Sequence, residues 1–377
     1  MDFAFSPEQD DLRGMVRRFL RDVSSESEVR RLMDTRAGFD RDVWRQMGEE
    51  LGLLGLIVPE QYGGSGAGFV ELGIVMEEMG AALLPSPYLA TAVLATNALL
   101  AAADPAAATD FLPGIASGQA IATLAVVEDD GRWDPAAASC QASRDHDGWR
   151  VNGAKMFVLD GATATLVLMT AQTPSGLSLF AVDHGAPGLS RIPLATLDQT
   201  RKQARLEFRD VPARLIGMEG AAAPIVSTAF DLAAVALAAE QVGGAARALD
   251  MAVGYAKVRV QFGRQIGSFQ AVKHKCADLL IEVESARSAA HYAMWSAAQR
   301  RDDLPLVASL AKAYCSDAFF HAAAENIQIH AGIGFTWEHP AHLYFKRAKA
   351  SQVMFGSPAQ HLALMAERLA APLLAAR

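Results

Sequence analysis

Cysteine is nearly absent: Cys140, Cys276 and Cys315 are the only three in 377 residues, far apart and without C-x-x-C spacing. That excludes a disulfide framework and the usual zinc-ligand patterns, and it fits a reducing cytoplasm. A basic surplus is missing too. Thirty-four Lys and Arg against 42 Asp and Glu leave a net charge of −8, the wrong sign for a nucleic-acid partner. The most apolar tract, "PYLATAVLATNALLAAA", is broken by Thr91, Thr96 and Asn97 and stops at Asp104-Pro105. A membrane-spanning helix needs roughly 20 apolar residues, so this tract reads as a buried helix. The N-terminus mixes both charge signs and lacks the basic region and apolar core of a signal peptide. These absences predict a soluble, cytoplasmic chain with no metal site and no membrane partner.

What is present is globular. Hydrophobic residues make up 51% and charged residues 20%, and the length exceeds what one core holds, so two or three packed units are expected. Residues 1–118 read as an N-terminal all-α domain. Ser6-Pro7-Glu8 has N-cap and N1 chemistry, and Phe3, Phe5, Leu12, Val16 and Leu20 line one face. A glycine-rich loop, "PEQYGGSGAG" (59–68), interrupts it; without G-x-G-x-x-G after a strand or G-K-[ST], it is a poor phosphate cradle. Residues 119–220 change to short β-branched runs punctuated by Asn-Gly, Asp-Gly and Pro-Gly, which predicts an antiparallel barrel or sandwich rather than a dinucleotide fold. Residues 221–377 return to long helices, a C-terminal domain like a four-helix bundle. The fold class is thus α+β multidomain. Arginine outnumbers lysine 26 to 8 in an alanine-rich chain, a composition that points to a GC-rich bacterium.

Two stretches carry more information. "RVQFGRQIGSFQAVKHKCADLLIEVESAR" (259–287) and "ENIQIHAGIGFTWEHPAHLYFKRAK" (325–349), with the helix–strand–helix order of the whole chain, resemble the acyl-CoA dehydrogenase family. The resemblance implies an FAD enzyme that desaturates an acyl-CoA thioester, a carboxylate taking the α proton while the β hydrogen leaves to the flavin as hydride. It further implies that one half of each flavin site, around the ADP end, is lent by a neighbouring subunit. That half is present here. Arg259 matches the pyrophosphate arginine, followed by Gln261 and Phe262. Gln270 matches a glutamine one step on, and Gln328, Ile329, His330, Ala331 and Gly332 match the second loop, with Ala331 in place of a usual glycine. The plainer readings are a surface salt bridge for Arg259 and a capping network for Gln328 to His330.

The other half departs from the pattern. "VVEDDGRWDP" puts Val127 at a threonine position, and Phe157-Val158-Leu159 keeps an aromatic but replaces a hydroxyl by Leu159. Where the family's base stands, this chain has Phe355; at the alternative base position it has Ala233, followed by Ala234 where arginine is common, with Asp231 close by. No catalytic residue therefore occupies either usual place. Glu240, seven residues past Ala233 on the same helix face, is a candidate for a relocated base, or else a buried carboxylate paired with an arginine. Retaining the lent half and losing the resident half is what the resemblance implies for an accessory subunit. Such a subunit would complete the FAD site of a homologous, glutamate-bearing partner in an α2β2 acyl-CoA dehydrogenase similar to those of steroid side-chain degradation. The alternatives are a homo-oligomeric flavoenzyme using Glu240 and a flavin-free binding scaffold.

Overall fold

Ser6 begins the first helix, α1 (Pro7–Val23), with a reciprocal cap: its hydroxyl accepts from the Gln9 amide and the Gln9 side chain accepts from the Ser6 amide. The computed structural model describes residues 5–133 and 138–375, so Phe3 of the predicted apolar face lies outside the described residues. Val16 and Leu20 of that face are buried. Short helices α2 (Glu26–Met33) and α3 (Arg41–Arg45) follow, then α4 (Phe69–Ala82). The loop before α4 spends its amides on its own carbonyls. Gly63 donates to Glu60, Ser65 to Gly55 and Gly66 to Val58, which leaves these N–H groups unavailable to a phosphate.

The apolar tract becomes a π-helical stretch, Leu89–Ala95, continued by α5 (Thr96–Ala101). Its polar interruptions are satisfied internally: Thr91 donates to the Ala122 carbonyl, and Asn97 to that of Val93. Helix α6 (Pro105–Ala116) then starts at an Asp104 cap.

Seven strands follow: β1 (Ala122–Ala125), β2 (Gln141–Asp145), β3 (Gly148–Leu159), β4 (Leu166–Thr173), β5 (Gly176–Asp183), β6 (Leu189–Pro193) and β7 (Gln203–Ile216). The pairings β4–β2–β3–β7–β5 return to β4 and so close a barrel. The sheet is not wholly antiparallel as its turn residues imply. One edge of β4 is shared by β1 and, at Gln172, by β2, both running parallel to it. The reason is topological: the β2–β3 hairpin is inserted between β1 and β4, so the chain comes back in the same direction without a crossover helix.

The C-terminal helices are α7 (Ala222–Val258), α8 (Gln270–Ala298), α9 (Leu304–His330), α10 (Ala341–Val353) and α11 (Pro358–Ala375), with a small hairpin of β8 (Val260–Gln261) and β9 (Arg264–Gln265) between α7 and α8. Helix α9 packs on α8, α10 and α11. Helix α7 is long and apolar enough to cross a membrane, but 67% of its most apolar window is buried inside the structure. Two compact units result. One takes the residues up to Arg30, Phe69–Leu84 and those from Ala234 onward; the other takes Arg31–Gly68 and Pro85–Ala233. In the first unit α4 crosses α7 through glycines. A Cβ on Gly80 would overlap the Glu240 carbonyl, and one on Gly243 that of Glu77.

Candidate functional site

The residues around Arg259 sit on the hairpin that ends α7. Arg259 N–H donates to the Tyr255 carbonyl (2.9 Å), and its own carbonyl accepts from Ile266 (2.8 Å). Phe262 and Gly263 make the turn, both left-handed at φ +54° and +76°, as a two-residue hairpin of this hand requires. Phe262 is left 91% exposed. Arg259, Gln261 and Gln270 are exposed as well. Among the described residues Arg259 takes part in no ion pair, so the surface-salt-bridge reading finds no partner for it.

The second motif comes to the same place through α7. Ile329 packs on Ala252 and Ala256, and the His330 ring stacks on Tyr255 at 4.3 Å, with its Nδ1 2.8 Å from the Asn326 carbonyl. Ile329 and His330 are therefore buried supports, whereas Gln328, Ala331 and Gly332 are exposed. Ala331 adopts φ +54°, ψ −137°, backbone that favours glycine. Exposed glutamines, an arginine and small residues beside them suit an anionic phosphate group.

The two positions that the family resemblance matches to a base, 233 and 355, carry no titratable side chain. Ala233 and Ala234 are fully buried in α7, and Phe355 is 5% exposed. Phe355 is held in a left-handed turn, φ +57°, followed by Gly356 at φ +110°. Two buried side chains fix that turn. His361 Nε2 lies 3.0 Å from the Phe355 carbonyl. Lys312 Nζ donates to the carbonyls of Gln352 and Gly356 (3.2 Å each) and to Ser316 Oγ (2.9 Å), which in turn meets Gln241. Burial pushes the Lys312 ammonium down to about 7 and the His361 imidazole to about 4. Neither residue was singled out from the sequence. The available signal was a lone lysine on an otherwise apolar helix, "VASLAKAYCS". Glu240 is not solitary either: its Oε1 accepts from Arg347 at 2.9 Å, with side chains 5% and 2% exposed.

In the other unit Val127 and Leu159 are buried at 2% and 3% exposure, while Phe157 is 39% exposed at φ +54° in a bulge of β3. Leu159 offers no side-chain hydrogen bond, and its carbonyl already accepts from Thr123. Glu128, next to Val127, is fully engaged by Lys155 Nζ (2.8 Å), by the Ser139 and Cys140 amides and by the Ser139 hydroxyl. Burial alone would raise this carboxyl, but those hydrogen bonds hold it down to about 2. Asp134 and Pro135 of the same stretch lie outside the described residues. The apolar side chains at 127 and 159 thus supply no polar contact to a flavin ring, in contrast to the phosphate-suited hairpin.

Three family descriptions match successive parts of the chain: "Acyl-CoA dehydrogenase, N-terminal domain" over residues 6–119, "middle domain" over 123–211 and "C-terminal domain" over 223–370. The acyl-CoA dehydrogenase IpdE2 of Mycobacterium tuberculosis is 37% identical, covering 94% of this chain and 95% of that protein. Its namesake in Mycolicibacterium smegmatis is 34% identical, over 95% and 97%. Among solved structures, the "Tcur3481-Tcur3483 steroid ACAD G363A variant" superposes with TM-score 0.87 at 33% identity, covering 97% and 99% of the two chains. The ChsE4-ChsE5 complex from Mycobacterium tuberculosis does so with TM-score 0.89 at 31% identity, over 98% and 99%. Helical, β and helical blocks, the paired loops at the end of α7 and these matches together make the chain a member of the acyl-CoA dehydrogenase family.

Proposed function

We propose that this chain is the non-catalytic subunit of a heteromeric, FAD-dependent acyl-CoA dehydrogenase. In this reading Arg259, Gln261, Phe262, Gln270, Gln328, Ala331 and Gly332 complete the ADP end of a flavin held mainly by a homologous, glutamate-bearing partner. Ile329 and His330 support that loop from inside. The carrying observation is Phe355: a buried phenyl ring at the family's base position, with alanine at the alternative one. A hydrocarbon cannot abstract a proton, and an aromatic fills volume without leaving a carboxylate unpaired in an apolar site. Glu240 is assigned a structural role, because a base must reach its substrate proton and this carboxylate is bound to Arg347. FAD supplies the hydride acceptor when bound; this chain contributes charge and backbone contacts to its phosphates. Two related structures carry paired names, and one is described as a steroid ACAD, which favours a paired assembly and a steroid-derived acyl-CoA as substrate class.

The deciding experiment is purification of the chain alone and co-expressed with its partner, with FAD read by absorbance. The expected result is little or no flavin alone and one FAD per heterodimer. A fully loaded, active homo-oligomer would overturn the proposal. Within the complex, Arg259→Ala should weaken FAD retention about 10- to 100-fold, the worth of a charge-assisted contact of about 1.5–3 kcal/mol; unchanged occupancy would remove Arg259 from the site.

A further inference from the structure

The loop that joins α9 to α10, residues 331–340, is held by three imidazoles. His330, at the end of α9, is buried, stacks on Tyr255 of α7, and directs Nδ1 at the Asn326 carbonyl, so that nitrogen carries a proton. The half-buried His339 ring lies 4.2 Å from that of His330. Its Nδ1 accepts from the Ala341 amide at 3.2 Å, an N–H at the start of α10 that has no partner within the helix. A backbone amide only donates, so His339 is neutral here, with its proton on Nε2. His342, in the first turn of α10, is bonded to the Trp337 backbone, and its Nε2 is buried without a hydrogen-bond partner. A positive charge on this loop finds little to balance it. Glu26 of α2 is the carboxylate acting on His339 and His342, and it is already paired with Arg30 at 2.8 Å. Arg30 acts on the same two rings, and Lys346 of α10 stands over the Trp337 ring at 4.1 Å. Glu338, the neighbour of His339 in the chain, is exposed to solvent. Burial, His330 and Arg30 hold His339 below the usual imidazole value, with Glu26 opposing them. Its contribution to stability is therefore present above the unfolded value of 6.5 and is lost as pH falls. The geometry says how: a proton on Nδ1 sets one N–H against another and breaks the bond to Ala341.

We propose that His339 is a proton-operated latch: neutral, it ties the loop 331–340 to the start of α10 and to His330, and protonated it lets the loop go. Ala331 and Gly332 belong to this loop, so acidification loosens the ADP end of the flavin, a consequence that rests on the accessory-subunit reading as the latch itself does not. The test is amide hydrogen exchange of the full chain, with its partner if it purifies so, near pH 7.5 and near pH 5, each rate taken relative to that of an unstructured peptide. The segment 331–343 should lose protection about fivefold or more at the lower pH, while the middle of α8 is unchanged. His339→Asn keeps an acceptor oxygen for the Ala341 amide and has no proton to gain, so its protection should be the same at both pH values. His339→Ala should be unprotected at both. Parent protection that does not change with pH, an equal loss throughout α8, or a His339→Asn chain that keeps the parent's pH response would overturn the proposal. The parent alone decides the question should the variants fail to fold. In the flavin-loaded complex, FAD release should quicken about fivefold over the same interval in the parent and not in His339→Asn. Loss of loop protection with unchanged FAD release would uphold the latch and remove the loop from the flavin site.

Discussion

A phenylalanine at φ +57° is unfavourable, because its Cβ crowds the neighbouring peptide in the left-handed region, yet Phe355 is held there by Lys312 and His361 through three carbonyls of its turn. The turn is thus kept by its surroundings and not by its own side chain. Phe355→Glu should lower thermal stability, since truncating a buried ring to Ala removes about 3–5 kcal/mol. The chain alone should gain no desaturation of an acyl-CoA, because the side chains of Val127, Leu159 and Ala234 still offer no polar contact. Measurable turnover would mean that only one residue separates this site from a working one. Glu240→Gln removes the charge from the buried ion pair with Arg347, so a loss of about 3 kcal/mol is expected in denaturant unfolding, with turnover of the proposed complex altered less than tenfold. Ala331→Gly should act oppositely. It relieves left-handed strain of about 1–3 kcal/mol against a smaller entropic penalty in the unfolded chain, so the melting temperature should rise.

At the scale of elements, the α4–α7 crossing is set by the absence of side chains. Gly80→Ala or Gly243→Ala would drive a methyl into a carbonyl of the facing helix and should destabilise by about 1–3 kcal/mol as the helices separate. Gly14, in α1, meets only the far end of Arg18; there the same change should stabilise by roughly 0.5–1 kcal/mol through helix propensity. Opposite shifts in denaturant midpoint would confirm that packing governs the first pair and propensity the second. Helices, strands and the paired loops at the end of α7 were legible because caps, turn residues and spacing are local in the sequence. The parallel pairing of β1 and β2 with β4 was not, since strand direction depends on where a hairpin is inserted. Nor was the Glu240–Arg347 pair, whose members stand 107 positions apart, although an arginine partner for Glu240 was among the expectations. The clustering of Arg13, Glu77, Arg287 and His291 is likewise a product of three helices meeting.

Across the whole molecule, three largely buried histidines, a buried carboxylate and a buried lysine bias stability the same way with pH. His291, His342 and His361 are each pushed down to about 4, mainly by burial, so the unfolded chain binds more protons than the folded one between about pH 6.5 and 4. Stability must fall as pH drops through that window. Glu128, held at about 2, contributes stability that is present above its unfolded value near 4.5 and is lost below it. Lys312, near 7 when folded against 10.5 unfolded, is most unfavourable below pH 7 and is relieved as pH rises towards 10. All these contributions make the protein acid-labile, each changing stability by up to about 1.4 kcal/mol per pH unit within its window. Denaturant midpoints should therefore decline from pH 7 to pH 4.5, most steeply below pH 6. Lys312→Met tests the basic side separately: relative to the parent it should be most favourable at pH 6 and lose that advantage by pH 10. A difference between the two proteins that does not change with pH would show that Lys312 keeps its ordinary titration inside the fold, its three acceptors fully offsetting burial.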